Sequence, residues 1–228
     1  DDVEDITSIC GGLNINIGTL NKNTIPSMFL AGKKANELGH IVLLDPVGAG
    51  ASRLRTDTAN RLMQEVRFDA VRGNISEIKT LCTGSGSTKG VDADAVDAVT
   101  EANLDDGVQL VKTFAQRAGC IVAVTGAIDL VSDGERCWCI RNGRAEMSRI
   151  TGTGCQLSAL MTAFLVANPD HKLDAAAAAV CMMGLAGEIG WANMQPGDGN
   201  STYRNRIIDA IFNMTGDALE KGAKYELR

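Results

Sequence analysis

Two short runs, "HIVLLDP" (40–46) and "CIVAVTG" (120–126), constrain this chain more than any other feature. Each is continuously apolar rather than alternately so, and each stops at polar or small residues. A strand apolar on both sides is buried on both sides, as in a parallel sheet covered by helices. Helix-like segments separate such runs along the chain. "LNINIG" (13–18) has Leu13, Ile15 and Ile17 at period 2, and "IPSMFLAGKKANELG" (25–39) reads as a helix with Pro26 in its first turn and Gly39 as its stop. "TDTANRLMQEV" is a further helix, "FDAVRGN" a strand ending in a turn, and "SEIKTLC" a helix capped by Asn74 or Ser76. "GVQLVKTFAQRAG" is helical, and "AIDLVSDGERCWCIRNG" carries two short β runs around an Asp133–Gly134 turn. "DAAAAAVCMMGLAGEIGWANM" is apolar nearly all round and reads as a buried helix, and "DGNSTYRNRIIDAIFNMTGDALEKG" reads as one last helical segment. Strands alternating with helices predict an α/β fold, a mostly parallel central sheet with helices on both faces. Composition shows no break, so residues 1–228 are expected to form a single domain.

In open α/β sheets, ligands bind beyond the carboxyl ends of the strands. The residues there are Asp45, Arg72 to Asn74, and Thr125 with Gly126. Each has a bland reading: a turn before Pro46, a helix cap, a turn glycine. Their joint placement at one sheet edge favours a site.

"ITGTGCQLSALMTAFLVANPD" (150–170) adds to it. Leu157, Leu160, Met161, Phe164 and Leu165 mark one face of a helix, so Gly152, Thr153, Gly154 and Cys155 lie at its start. The first backbone N–H groups of a helix lack intrahelical partners and carry roughly half a positive charge. Glycines let an anion approach them, phosphate above all. Cys155 stands in that turn, a reactive thiol where the helix begins. The competing reading is a small apolar core residue, which is how Cys10, Cys120 and Cys181 are read. Cys137 and Cys139 alternate on one strand as packing residues would.

Other chemistry is excluded. Gly48-Ala49-Gly50 is half of a dinucleotide fingerprint without its second half, and no Walker A sequence occurs. His40 and His171 show no metal or triad spacing. A net charge of −6 and a pI near 5.0 argue against a nucleic-acid surface. No run of ~18 uncharged apolar residues suggests a membrane span. Seven cysteines without ligand-spaced pairs suggest reduced thiols and a cytoplasmic setting. "TGSGSTKGVDADA" (83–95) reads as a mobile loop, a lid or a variable insertion over Thr83–Gly90.

"LNINIGTL" (13–20), "LLDPVGAGASRLRT" (43–56), "DAVRGNISEI" (69–78), "VAVTGAIDLVSDG" (122–134) and "ITGTGCQLSAL" (150–160) together resemble hydroxyethylthiazole kinases, a family of the ribokinase-like superfamily. Most of that superfamily resembles "GAGD" where this chain has "GTGC", with an aspartate as general base. The resemblance covers nearly the whole chain. It implies ATP-dependent phosphorylation of the primary hydroxyl of 4-methyl-5-(2-hydroxyethyl)thiazole, in thiamine salvage. Arg72 and Thr125 would contact ATP, Gly152 would lie against the substrate, and Cys155 would stand beside the attacking hydroxyl. Asn74 and Glu77 match an N-x-x-E motif tied to phosphate and magnesium, and Asp45 would complete a water-mediated Mg2+ environment. The family is typically a homotrimer with sites at subunit interfaces. Its members usually begin about fifty residues further upstream, roughly one strand–helix unit and its flanks, and that part includes a methionine segment lining the thiazole pocket. The chain is accordingly expected to lack an N-terminal segment. Two alternatives remain open at this level: a nucleotide-dependent NAD(P)H-hydrate dehydratase, which typically has aspartate at the Cys155 position, and a nucleotide-binding module without turnover.

Overall fold

The computed structural model describes residues 1–83 and 98–228. The loop expected over Thr83–Gly90 lies outside the described residues, save Thr83 itself, which ends a helix. The chain opens with helix α1 (Val3–Ile9), then strand β1 (Gly12–Asn16), α2 (Thr24–Leu38), β2 (Ile41–Asp45), α3 (Arg53–Glu65), β3 (Ala70–Asn74) and α4 (Ile75–Thr83). Next come α5 (Leu104–Ala118), β4 (Ile121–Thr125), β5 (Asp129–Ser132), β6 (Cys137–Ile140), α6 (Thr153–Ala167), α7 (Lys172–Ala192), α8 (Asn200–Asn213), α9 (Gly216–Gly222) and β7 (Tyr225–Leu227). The seven strands form one sheet in chain order. β1 to β4 are mutually parallel, and β5 to β7 add antiparallel at one side.

β2 shows why its sequence is continuously apolar. Val42 and Leu44 belong to the core under one face, with Ile15, Leu62 and Ile78. Ile41 and Leu43 belong to the core on the other face, with Met161, Leu165 and Val180. Successive strand residues point to opposite faces, so a strand covered twice needs both sets apolar. Truncating a buried leucine such as Leu44 costs about 2–5 kcal/mol. α7 is small and apolar nearly all round because it is packed nearly all round. A Cβ at Gly184 would stand 2.7 Å from the Asn142 backbone carbonyl carbon, so only glycine permits that approach.

Helix ends follow the sequence signals. Gly39 and Gly119 close α2 and α5 in the left-handed conformation, φ 70° and 65°, which glycine adopts without steric cost. Ser52 caps α3 and starts it a little before the expected Thr56. Asn74, and not Ser76, caps α4: its Oδ1 accepts from the Glu77 N–H at 2.8 Å.

Two expectations need correction. The last segment is two helices and a strand, not one helix. The chain leaves helical geometry at Met214, where ψ is 125°, and restarts when Thr215 accepts from the Ala218 N–H. β7 then pairs with β6, beside reciprocal backbone hydrogen bonds between Cys137 and Arg228. Cys10, expected in the core, is exposed. It follows the last residue of α1, whose only buried residue is Thr7, so no second layer covers it. Cys120, Cys137, Cys139 and Cys181 are buried as expected, and all seven cysteines are free.

Candidate active site

The parallel register builds the site. In the β1–β2 ladder Asn16 lies beside Asp45, and in the β3–β4 ladder Asn74 lies beside Thr125. Four strand ends therefore deliver Asn16, Asp45, Arg72 with Asn74, and Thr125 to one edge. The start of α6 faces them.

Asp45 is fully buried. Its Oδ2 accepts from Asn16 Nδ2 and from Ser158 Oγ, both at 2.8 Å. Its Oδ1 has no hydrogen-bond donor and stands 3.7 Å from Arg72 Nη1. Burial pushes the Asp45 carboxyl above its ordinary value, against the pull of Arg72, Ser158 and Asn16.

Arg72 ties the strand ends to the helix. Its Nη2 donates to Thr125 Oγ1 at 2.7 Å. Its guanidinium lies against the Gly154 backbone, since a Cβ there would stand 2.6 Å from Nη1. Its Nε is buried without a partner.

Glu77 and Asn74 form a reciprocal cap: Glu77 Oε2 accepts from the Asn74 N–H at 2.8 Å while Asn74 accepts from Glu77. The other Glu77 oxygen accepts from the Gly48 N–H at 2.8 Å. Gly48-Ala49-Gly50 is thus a turn held by Glu77, with φ of 74° at Gly48, and not a phosphate loop. Burial pushes the Glu77 carboxyl up, and the charge on Asp45 adds to the rise.

α6 starts as its sequence suggested. Gly152 is its N-cap at φ 93°, with open space where a side chain would project, and no side chain caps the helix. Thr153 Oγ1 makes only a long hydrogen bond, 3.5 Å, to the Ile150 carbonyl. Cys155 is exposed, unlike the four core thiols, and its Sγ accepts from Asn16 Nδ2 at 3.2 Å. Exposure removes the core-filler reading of this thiol.

The structure gathers Asp45, Arg72, Asn74, Glu77, Thr125, Gly152, Thr153, Gly154 and Cys155 around one edge. Sequence reasoning missed three neighbours. Asn16 ends β1 as Asp45 ends β2, but the strand read over 13–18 ran two residues past it, so the strand-end rule pointed beyond it. Ser158 lies one turn past Cys155, on its face of α6. Asp129 accepts from the Gly126 N–H at 2.8 Å and holds the turn after Thr125; burial pushes its carboxyl up to about 7, against the pull of Gly126 and Arg72.

A parallel α/β sheet with a buried carboxylate, a strand-end arginine and an uncapped, glycine-lined helix start is the arrangement of a ribokinase-like phosphotransferase. The model of the hydroxyethylthiazole kinase family matches residues 1–217, and the chain belongs to that family. It is 54% identical over 225 residues to hydroxyethylthiazole kinase of Clostridium acetobutylicum, spanning 99% of this chain and 82% of that one. Its fold matches the solved hydroxyethylthiazole kinase of Pyrococcus horikoshii at a TM-score of 0.85 and 30% identity, over 100% of this chain and 81% of that one. The ADP complex of Staphylococcus aureus pyridoxal kinase shares the fold at a TM-score of 0.61 and 17% identity, over 99% of this chain and 76% of that one.

Proposed function

We propose that this chain transfers the γ-phosphoryl group of ATP to the primary hydroxyl of 4-methyl-5-(2-hydroxyethyl)thiazole, a step of thiamine salvage. The observation that carries the reading is the convergence of the uncapped α6 start, the Arg72 guanidinium and the exposed Cys155 thiol at one sheet edge.

Phosphoryl transfer asks a protein mainly for positioning and charge stabilisation. Arg72 and Thr125 bind the ATP phosphates. The α6 backbone N–H groups at Thr153 and Gly154 point their partial positive charge at the transferring group. Gly152 leaves room for the substrate beside them. Cys155 faces the attacking hydroxyl and orients it or takes its proton. Asn74 acts through its bond to Glu77.

Asp45 and Glu77 would hold a magnesium ion through water. The donor set fits: Asp45 keeps one carboxylate oxygen without a hydrogen bond, and each Glu77 oxygen accepts one backbone N–H and keeps a second lone pair. Magnesium keeps several waters and takes phosphate oxygens, so two carboxylates suffice. When bound, it neutralises charge on the phosphates. A homotrimer with sites between subunits, and a cytoplasmic setting consistent with seven free thiols, complete the reading.

Steady-state assays with ATP and the thiazole alcohol, beside NADH hydrate, test the reaction. Phosphate-ester formation with the alcohol is expected; dehydration of NADH hydrate alone would overturn it. Cys155→Ala should lower kcat by roughly 10²-fold, the low end for losing a general base. Cys155→Asp should keep turnover. Because the site is exposed, aspartate there buries no charge and the thermal midpoint should hold. A fully active Cys155→Ala enzyme would end the role given to the thiol.

A further inference from the structure

We propose that Asn16 is a positioning residue for phosphoryl transfer, holding the Cys155 sulfur and the Asp45 carboxylate in fixed relation through the two hydrogens of one amide group. The inference rests on the reading of Cys155 as the group beside the reacting hydroxyl.

Every polar atom of the Asn16 side chain is committed. Nδ2 donates to Asp45 Oδ2 at 2.8 Å and to Cys155 Sγ at 3.2 Å. Oδ1 accepts from the Gly18 N–H at 2.8 Å. The amide therefore has one orientation. Flipped, it would set its oxygen against the Asp45 carboxylate and its N–H groups against the Gly18 N–H. Two acceptors on one side and a donor on the other fix the assignment.

The amide is itself braced. Gly18 passes so close that a Cβ there would stand 2.9 Å from Asn16 Oδ1. Arg55 Nη2 donates to the Gly18 carbonyl at 3.0 Å and secures that turn. On the far side, Ser158 lies three residues after Cys155 on the same helix and holds the same Asp45 oxygen as Asn16. α6 is thus joined to β2 directly through Ser158, and to β1 through Asn16.

Cys155 is exposed, and a thiol on a surface turn chooses among rotamers freely. A donor at 3.2 Å on its sulfur selects the rotamer that faces the strand ends, where Arg72 and Asp45 lie. The sulfur then presents its remaining face to the substrate. Placement of this kind raises kcat with little effect on ATP binding.

A double-mutant cycle tests the coupling. Asn16→Ala should lower kcat about 10-fold, with KM for ATP changed less than about threefold. In a Cys155→Ala background the same change should cost clearly less than that roughly 10-fold, because the sulfur it places is gone and only its bond to Asp45 remains to be lost. Asn16→Asp keeps the acceptor for the Gly18 N–H and removes both donors, so it should lose at least as much kcat as Asn16→Ala. Because Asn16→Asp also sets a carboxylate against buried Asp45, Asn16→Ser, neutral and shorter, takes its place with the same expected loss of kcat if either variant fails to fold. Equal losses in both backgrounds, or parental kcat in Asn16→Asp, would overturn the inference and leave the kinase reading standing. Parental kcat in Cys155→Ala would instead remove the reading beneath it.

Discussion

The two ends of the parallel sheet are built from the same kinds of residue and treated in opposite ways. At the amino ends, a crevice of about 580 Å³ runs past His40, Asp69, Cys120 and Lys172. There the charges close on each other: Asp69 takes Lys172 Nζ at 2.6 Å on one oxygen and the Val42 N–H at 2.9 Å on the other. At the carboxyl ends, Asp45 Oδ1 and Arg72 Nε are buried without hydrogen bonds, and α6 starts without a side-chain cap. Buried polar groups are ordinarily satisfied. The amino-end crevice leaves one ring nitrogen, His40 Nδ1, buried without a hydrogen bond, whereas the carboxyl edge leaves a carboxylate oxygen and a guanidinium nitrogen unmet beside an uncapped helix start. Capacity for chemistry here follows unmet valence, not volume.

Three measurements press on that contrast. Arg72→Ala should have the largest effect. It removes the cation proposed to face the transferring phosphoryl group and leaves Asp45 buried alone. We expect kcat/KM for ATP to fall about 10³-fold and stability to fall by about 3 kcal/mol, read from denaturant unfolding. Arg72→Lys should recover part of the stability and little of the rate, because an ammonium cannot span Thr125 and Asp45 as the planar fork does. Parental kinetics in Arg72→Ala would mean that the carboxyl edge is no more functional than the amino edge.

Glu77→Gln should come next. Both Glu77 oxygens accept backbone N–H groups, so one face of an amide would meet a donor with a donor. A loss of about 1–3 kcal/mol is expected from that mismatch, with kcat lowered about 10-fold and thiazole KM nearly unchanged. A stability loss without a kcat loss would assign Glu77 to the Gly48 turn alone.

The smallest effect concerns Asp129, whose half-buried carboxyl is raised from 3.8 to about 7 chiefly by loss of water around it, with solvent screening holding down the stability it controls. Between those values the folded chain holds a proton that the unfolded chain has released. Its contribution to stability is therefore complete below about pH 4 and is lost as pH rises toward 7. In Asp129→Asn the amide oxygen still accepts from the Gly126 N–H, and no proton is exchanged. The thermal midpoint of Asp129→Asn, relative to the parent, should rise by a few degrees from about pH 4 to about pH 8. Parallel curves would show the Asp129 carboxyl to be compensated like those at the amino end.

Most of the fold could be read along the chain because its signals are local. Continuous apolar runs marked β2 and β4, and glycines marked the ends of α2 and α5. The site was partly readable, since the strand-end rule pointed to Asp45, Arg72 and Thr125. Asn16 escaped because Asn14 and Asn16 alternate with Leu13 and Ile15, which reads as an outward polar face. Its partners lie 29 and 139 residues away and become visible only once the parallel register is known. β7 escaped for a related reason. Three residues carry no periodicity, and "YEL" becomes a strand only because β6 offers it an edge. The break between α8 and α9 did have a local signal, the Thr215 cap, inside a run that otherwise reads as continuous helix.

Gly154 ties the history of one position to that of another. Its backbone is ordinary helix, so no conformational demand requires glycine there; the demand comes from the guanidinium that a Cβ would meet at 2.6 Å. That guanidinium is pinned by Thr125 and cannot swing away without giving up its bond. Positions 72 and 154 are therefore a single unit of inheritance. Among related sequences, a larger residue at 154 should appear only where 72 has become smaller or has changed direction.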